Sequence, residues 1–108
     1  MTKQLYGAYY PKCSSTKRCY LKHEMINGVI TVQNKNLIFQ QKVLLLFPLK
    51  SNYLSLPLNE VDYIETMNLN GILPFGVCVF MKNKKEYMFG HINQQKLKNF
   101  IEEYRLIN

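Results

Sequence analysis

Nowhere in this chain of 108 residues does an apolar run approach the ~18 residues that cross a bilayer as a helix. The opening stretch, MTKQLYGAYYPK, has no apolar signal-peptide core, which predicts a protein that stays in the cytoplasm. Five glycines are scattered singly, so no glycine-rich loop is available to cradle a phosphate. His23 and His91 are the only histidines, and no Ser/His/Asp or Cys/His spacing accompanies them. The cysteine count is odd, and a reducing compartment would leave Cys13, Cys19 and Cys78 all as thiols. These absences exclude a spanning helix, a nucleotide loop and the familiar nucleophilic triads.

Acidic residues are scarce as well: seven, against fourteen lysines and arginines, for a net charge of +7. The excess is uneven. Residues 1–55 hold eight basic residues against Glu24 alone, whereas residues 56–108 hold six of each sign. A charge so concentrated suits an anionic partner such as lipid head groups, nucleic acid or an acidic protein. It equally suits lysines that solvate exposed strand edges. Lys12, Lys17, Arg18, Lys22, Lys42 and Lys50 are the candidate anion-facing patch.

An apolar fraction of 47% with 19% charged residues describes one folded domain. From residue 19 onward, short β-like runs alternate with turn signals. Residues 20–26 and 29–33 read as a hairpin around Asn27-Gly28, where both turn positions tolerate positive φ. Asn34-Lys35-Asn36 makes a second turn, and a third strand begins at Leu37. Further strands are expected at 54–58, 61–67, 75–81 and 86–89. In the 61–67 strand, alternation places Val61, Tyr63 and Met67 on one face and Ile64 on the other. The 75–81 stretch is apolar on both faces, as a central strand would be.

The period then changes. Leu97, Phe100, Ile101 and Tyr104 follow the i, i+3, i+4, i+7 spacing of one helix face, and Asn93 is a suitable N-cap. Seven antiparallel strands need closure to hide their edges, and a helix can plug an open end. The expected architecture is therefore mainly β, a small barrel of seven strands capped by one amphipathic C-terminal helix. Its domain spans residues 19–108, with residues 1–18 as an N-terminal extension whose tyrosines cover an edge or meet a partner.

"GVITVQNKNLIF", then "LSLPLNEVDYIE", then "MKNKKEYMF" and a closing helix together resemble the bacterial GRAM and pleckstrin-homology-like domains. The resemblance covers roughly residues 20–105 and preserves the family's order and spacing. Gln33 stands where the family usually has threonine, and Asn36 where it usually has arginine. The resemblance implies a non-catalytic binding scaffold. It carries no lipid-site residue, because the strand after Asn27-Gly28 has no basic residue before Lys35.

Other chemistry is weaker. Cys13, Cys19 and His23 match the last three ligands of a Cys3His zinc site, but Gln4 and Leu5 occupy the place of the fourth. Small buried thiols and a half-exposed imidazole are the simpler reading, so no metal or cofactor is expected. Glu60, Asp62 and Glu65 crowd together, most simply as a strand start facing water. An enzyme is not expected. The main competing function is sequence-insensitive nucleic-acid binding, by the basic half with Tyr6, Tyr9, Tyr10 and Tyr20 as a stacking groove. Twelve of the fourteen basic residues are lysine, and Arg18 and Arg105 alone offer the fork that reads base edges.

The run "KVLLLFPLK" at residues 42–50 remains. Continuing the strand from Leu37 places Phe39, Val43, Leu45 and Phe47 on the core face, and Leu44 and Leu46 beside Gln40 and Lys42 on the other. Leu44, Leu46 and Phe47 are thus the candidate interface, for self-association or a protein partner, with peripheral contact to an anionic membrane as a further option.

Overall fold

The computed structural model describes residues 4–16, 25–41, 53–69 and 73–106. Among the described residues seven strands form one antiparallel sheet, β1 (Gln4–Tyr10), β2 (Ile26–Gln33), β3 (Asn36–Gln41), β4 (Tyr53–Pro57), β5 (Val61–Leu69), β6 (Leu73–Met81) and β7 (Glu86–Gly90). Their order across the sheet is β4-β3-β2-β1-β7-β6-β5, so β4 and β5 are its two edges and the sheet stays open. A 3₁₀ turn, Leu58–Glu60, links β4 to β5, and α1 (Gln94–Leu106) follows β7. The mainly β class, the strand count and the C-terminal helix agree with the sequence reading; the closed barrel does not.

The helix forms where its pattern says it should. Asn93 Oδ1 accepts from Lys96 N–H at 3.1 Å, which satisfies one of the free amides of the first turn. Leu97, Phe100 and Ile101 are buried, and Tyr104 packs edge-on to Phe100 with ring centroids 5.3 Å apart. This face lies over β5, β6 and the 3₁₀ turn. Two polar anchors fix it there. Gln94 Nε2 donates to the carbonyls of Met67 and Gly76 at the start of the helix, and Arg105 Nη2 donates to those of Val61 and Asp62 near its end. Each anchor satisfies backbone oxygens on β5 or its neighbour, so the helix binds polar groups beside that edge strand as well as apolar surface.

The sheet separates two cores. On the inner face Ile30, Leu37, Phe39, Val77, Val79 and Phe89 pack with the helix residues into the larger cluster. On the outer face Ala8, Tyr10, Cys13, Leu69, Cys78 and Met88 form a smaller one. The run from Phe75 to Met81 is apolar throughout because β6 supplies both clusters, with Val77 and Val79 inward and Cys78 outward.

Three local expectations are corrected. Residues 4–10, expected to belong to an extension outside the domain, form β1, the middle strand, paired with β2 on one side and β7 on the other. Asn27-Gly28 is no hairpin turn but part of β2, where Gly28 lies opposite Gly7. A Cβ on Gly28 would sit 2.3 Å from the Gln40 carbonyl and 2.7 Å from the Phe39 ring, so glycine here serves close approach. The true hairpin turn is Asn34-Lys35, both at positive φ, between the paired Gln33 and Asn36. Finally, a register shift between Val61 and Tyr63 breaks the alternation of β5. Val61 and Ile64 both reach the inner core, while Tyr63 turns outward and stacks on Phe80, centroids 4.3 Å apart.

Candidate binding surface on the outer face

Cross-strand register arranges the outer face in successive rows, because residues two apart on a strand share a face. Tyr63, Phe80 and Glu86 make the first row, and Glu65, Cys78, Met88 and Tyr10 the second. Met67, Gly76, Gly90, Ala8 and Asn27 make the third. Two glycines and an alanine stand side by side in that third row, so the sheet surface sinks there. A Cβ on Gly90 would meet the Tyr10 ring at 2.7 Å, so the shallow floor is also what lets Tyr10 lie down.

The depression opens as a groove of about 430 Å³, within the range that holds a small ligand or a few side chains of a peptide. Ala8, Gly28 and Gly90 line its floor, and Tyr6, Tyr10, Phe75, His91 and Ile92 its sides. Tyr6 is 64% exposed and Ile92 85% exposed, so two large apolar surfaces stand open at the rim. Tyr10 is buried, its hydroxyl donating to Met25 Sδ at 3.4 Å, and burial pushes its phenol above the usual tyrosine range. His91 is held by its neighbours: its ring Nδ1 accepts from Asn93 N–H at 2.8 Å, and its backbone N–H donates to Phe75 O at 2.9 Å. The imidazole thus closes the turn into the helix. Among the described residues no lysine, arginine or carboxylate lines the groove.

A second, larger groove of about 660 Å³ lies between the start of β1 and the exposed side of α1, lined by Gln4, Leu5, Asn93, Gln95, Lys96, Asn99, Phe100 and Glu103. Its amides are partly spent on each other, Gln95 Nε2 donating to Asn99 Oδ1 at 2.9 Å.

The candidate site residues from the sequence fare unevenly. Lys12 is exposed just beyond β1. Lys17, Arg18, Lys22, Lys42 and Lys50 of the anion patch, and Leu44, Leu46 and Phe47 of the interface, lie outside the described residues, as do Cys19, Tyr20 and His23. The tyrosines do not share a groove. Tyr6 and Tyr10 face outward, whereas Tyr9 packs inward at 5.7 Å from the Phe39 ring and 5.5 Å from that of Phe89. Arg105 is occupied by Glu102 at 2.7 Å and by two carbonyls, so its fork serves the fold. Glu60, Asp62 and Glu65 are exposed around the start of β5, as expected of a strand beginning in water.

Cys13 is disulfide-bonded and Cys78 is a free, buried thiol, which corrects the expectation of three thiols. Burial, followed by the nearby Glu86 carboxylate, pushes Cys78 up to about 12, so it is inert at neutral pH. Among the described residues no group of three or more His, Cys, Asp and Glu side chains is placed to hold a metal ion. Gly28, Phe75, Gly90 and Ile92 went unnoticed in the sequence as site residues. A stretch as ordinary as FGHI signals a groove only once β1 is known to lie beside it.

No family model matches the chain, and no curated protein matches it. Among solved structures it is similar to the C-terminal domain of an unknown protein from Leishmania infantum, with a TM-score of 0.64 and 12% identity over 94% of this chain and 81% of that one. At that identity the likeness speaks to the fold alone.

Proposed function

We propose that this chain is a non-catalytic interaction module with a pleckstrin-homology-like fold, and that it docks an uncharged apolar segment of a protein partner in the outer-face groove. The fold reading is supported by the seven-strand antiparallel order, by β1 shared between β2 and β7, and by the C-terminal helix packed over β5 and β6. The function reading is carried by one observation: the groove is walled by Tyr6, Phe75 and Ile92, and among the described residues no lysine, arginine or carboxylate lines it, in a chain with twenty-one such side chains. A charged segment would lose hydration there without gaining a partner, whereas an aromatic, aliphatic or proline side chain would lose only water from apolar surface.

Selection of phage-displayed random peptides on the purified chain tests this. Uncharged sequences rich in aromatic, aliphatic or proline residues should emerge, and Ile92→Glu should weaken them at least tenfold. Ile92 is 85% exposed, so that variant leaves the core untouched. Acidic peptides that ignore Ile92→Glu would overturn the groove reading. A parallel salt titration with anionic vesicles and single-stranded oligonucleotides covers the two electrostatic alternatives. Tight binding at low salt that Ile92→Glu does not change would favour them instead.

A further inference from the structure

We propose that residues 11–16 form a strap latched over the outer face by Glu86, and that this strap hides a continuation of the docking groove. The second half of that statement rests on the groove being a docking site; the latch itself does not.

The strap begins where β1 ends. A turn closes with Cys13 N–H donating to Tyr10 O at 3.2 Å, and Pro11 sits at its first corner, where a fixed φ favours the bend. The turn returns Cys13 to the sheet, 5% exposed, in one cluster with Ala8, Tyr10, Cys78 and Met88. Two residues later Ser15 N–H donates to Glu86 Oε1 at 2.8 Å, a contact spanning 71 positions of sequence. The same carboxylate oxygen lies 3.8 Å from the Cys78 sulfur. One half-buried glutamate therefore touches both the strap and the thiol within the outer core.

What the strap covers adjoins the groove. The groove floor is the row of Ala8 and Gly90; the next row along the same strands is Tyr10, Met88 and Cys78. These second-row residues are buried, and Cys13 belongs to their cluster. Lifting the strap would carry the apolar floor one row further toward Phe80. A peptide seated on both rows would compete with Cys13 for the same surface, so the strap acts as an autoinhibitory cover with a polar latch at Glu86.

Cys78 is a built-in reporter, since its sulfur is closed to reagents while the strap is down. The experiment is iodoacetamide labelling of the folded, unreduced protein, with the modified cysteine located by peptide mapping. Two variants remove the latch from opposite sides, Glu86→Ala and Ser15→Pro, the latter deleting the donor N–H. The pair matters because Glu86→Ala alone would also ease ionisation of the thiol. Both should raise the Cys78 labelling rate at least tenfold and raise the fluorescence of bound anilinonaphthalene sulfonate severalfold, with thermal unfolding still cooperative. Labelling that stays slow in both variants, or rises in Glu86→Ala alone, overturns the latch, whether or not the groove binds peptides. Faster labelling in both with unchanged dye binding overturns the claim that the strap hides apolar surface.

Discussion

The two faces of this sheet solve the same problem with unequal means. The inner face meets a thirteen-residue helix, capped by Asn93 and anchored by Gln94 and Arg105, and it buries whole aromatic and aliphatic side chains against it. The outer face meets a short strap that contributes Cys13 to a cluster of small and flexible residues. Large complementary surfaces give rigidity, because each buried methylene adds to the cost of separation. A face covered by a short strap at the protein surface opens at lower cost, and low-stability segments are where binding surfaces are drawn from. In this molecule the face that holds the fold together is also the less available for binding.

The comparison can be broken most forcefully on the inner side. Phe100→Ala should cost about 3–5 kcal/mol, the range for a truncated core aromatic, read by denaturant unfolding. A loss under about 1 kcal/mol would mean that the helix contributes little and that the two faces are equivalent. Gly28→Ala comes next. Its new methyl group would press on the Gln40 carbonyl and the Phe39 ring, and overpacking of that kind costs about 1–3 kcal/mol. An unchanged melting temperature would show that β2 and β3 can separate, and that Gly28 is not a packing glycine. On the outer side Tyr63→Ala should cost much less, about 0.5–1.5 kcal/mol for the lost stacking on Phe80, because Tyr63 is 44% exposed. A double-mutant cycle with Phe80→Ala would isolate that term, and a coupling near zero would leave the pair as mere neighbours.

The smallest effect is a pH dependence of the strap. Hydrogen bonds from Ser15 hold the Glu86 carboxyl below the usual carboxylate range, with Cys78 as a weaker donor to it. A depressed folded-state value means the latch contributes fully above the ordinary carboxylate pKa and is lost as pH falls through the lowered one. Glu86 is half-buried and its contact with Ser15 lies at the surface, so solvent screens it and global stability should barely register it. Amide hydrogen exchange at Ser15, corrected for its intrinsic pH dependence, should nevertheless lose protection in that acid window. Protection that persists to the lowest folded pH would show the amide held by something other than the carboxylate.

Elements governed by neighbours in sequence were legible in advance. The helix was readable from Leu97, Phe100 and Ile101 because residues three and four apart meet on one helix face whatever lies opposite. Asn93 was readable as the cap for the same local reason. The β1 strand was not. Ala8 and Tyr10 belong to the outer core, exposed Tyr6 lines the groove on the same face, and Leu5 and Tyr9 pack on the inner core, so QLYGAYY shows no alternation of apolar and polar residues to mark a strand. Asn27-Gly28 misled because one dipeptide satisfies two demands, positive φ in a turn and close approach in a sheet, and only the ring of Phe39 decides between them. The β5 register was lost to the irregularity after Val61, where Arg105, some forty positions away, binds the carbonyls of Val61 and Asp62.

The sequence by itself determined the class of this protein: period-two segments, one period-3.6 segment and the turn at Asn34-Lys35 specify a mainly β chain with a terminal helix through contacts a few residues long. Only the tertiary structure decided that β1 lies in the middle of the sheet and that Ala8, Gly28 and Gly90 make a floor. It alone set Glu86 beneath Ser15. Those relations join residues about 20 to 80 positions apart, and their energy comes from surfaces that exist only after the strands have paired. A linear pattern records what each residue prefers beside its neighbours; the groove and its strap depend on which strands came to lie side by side.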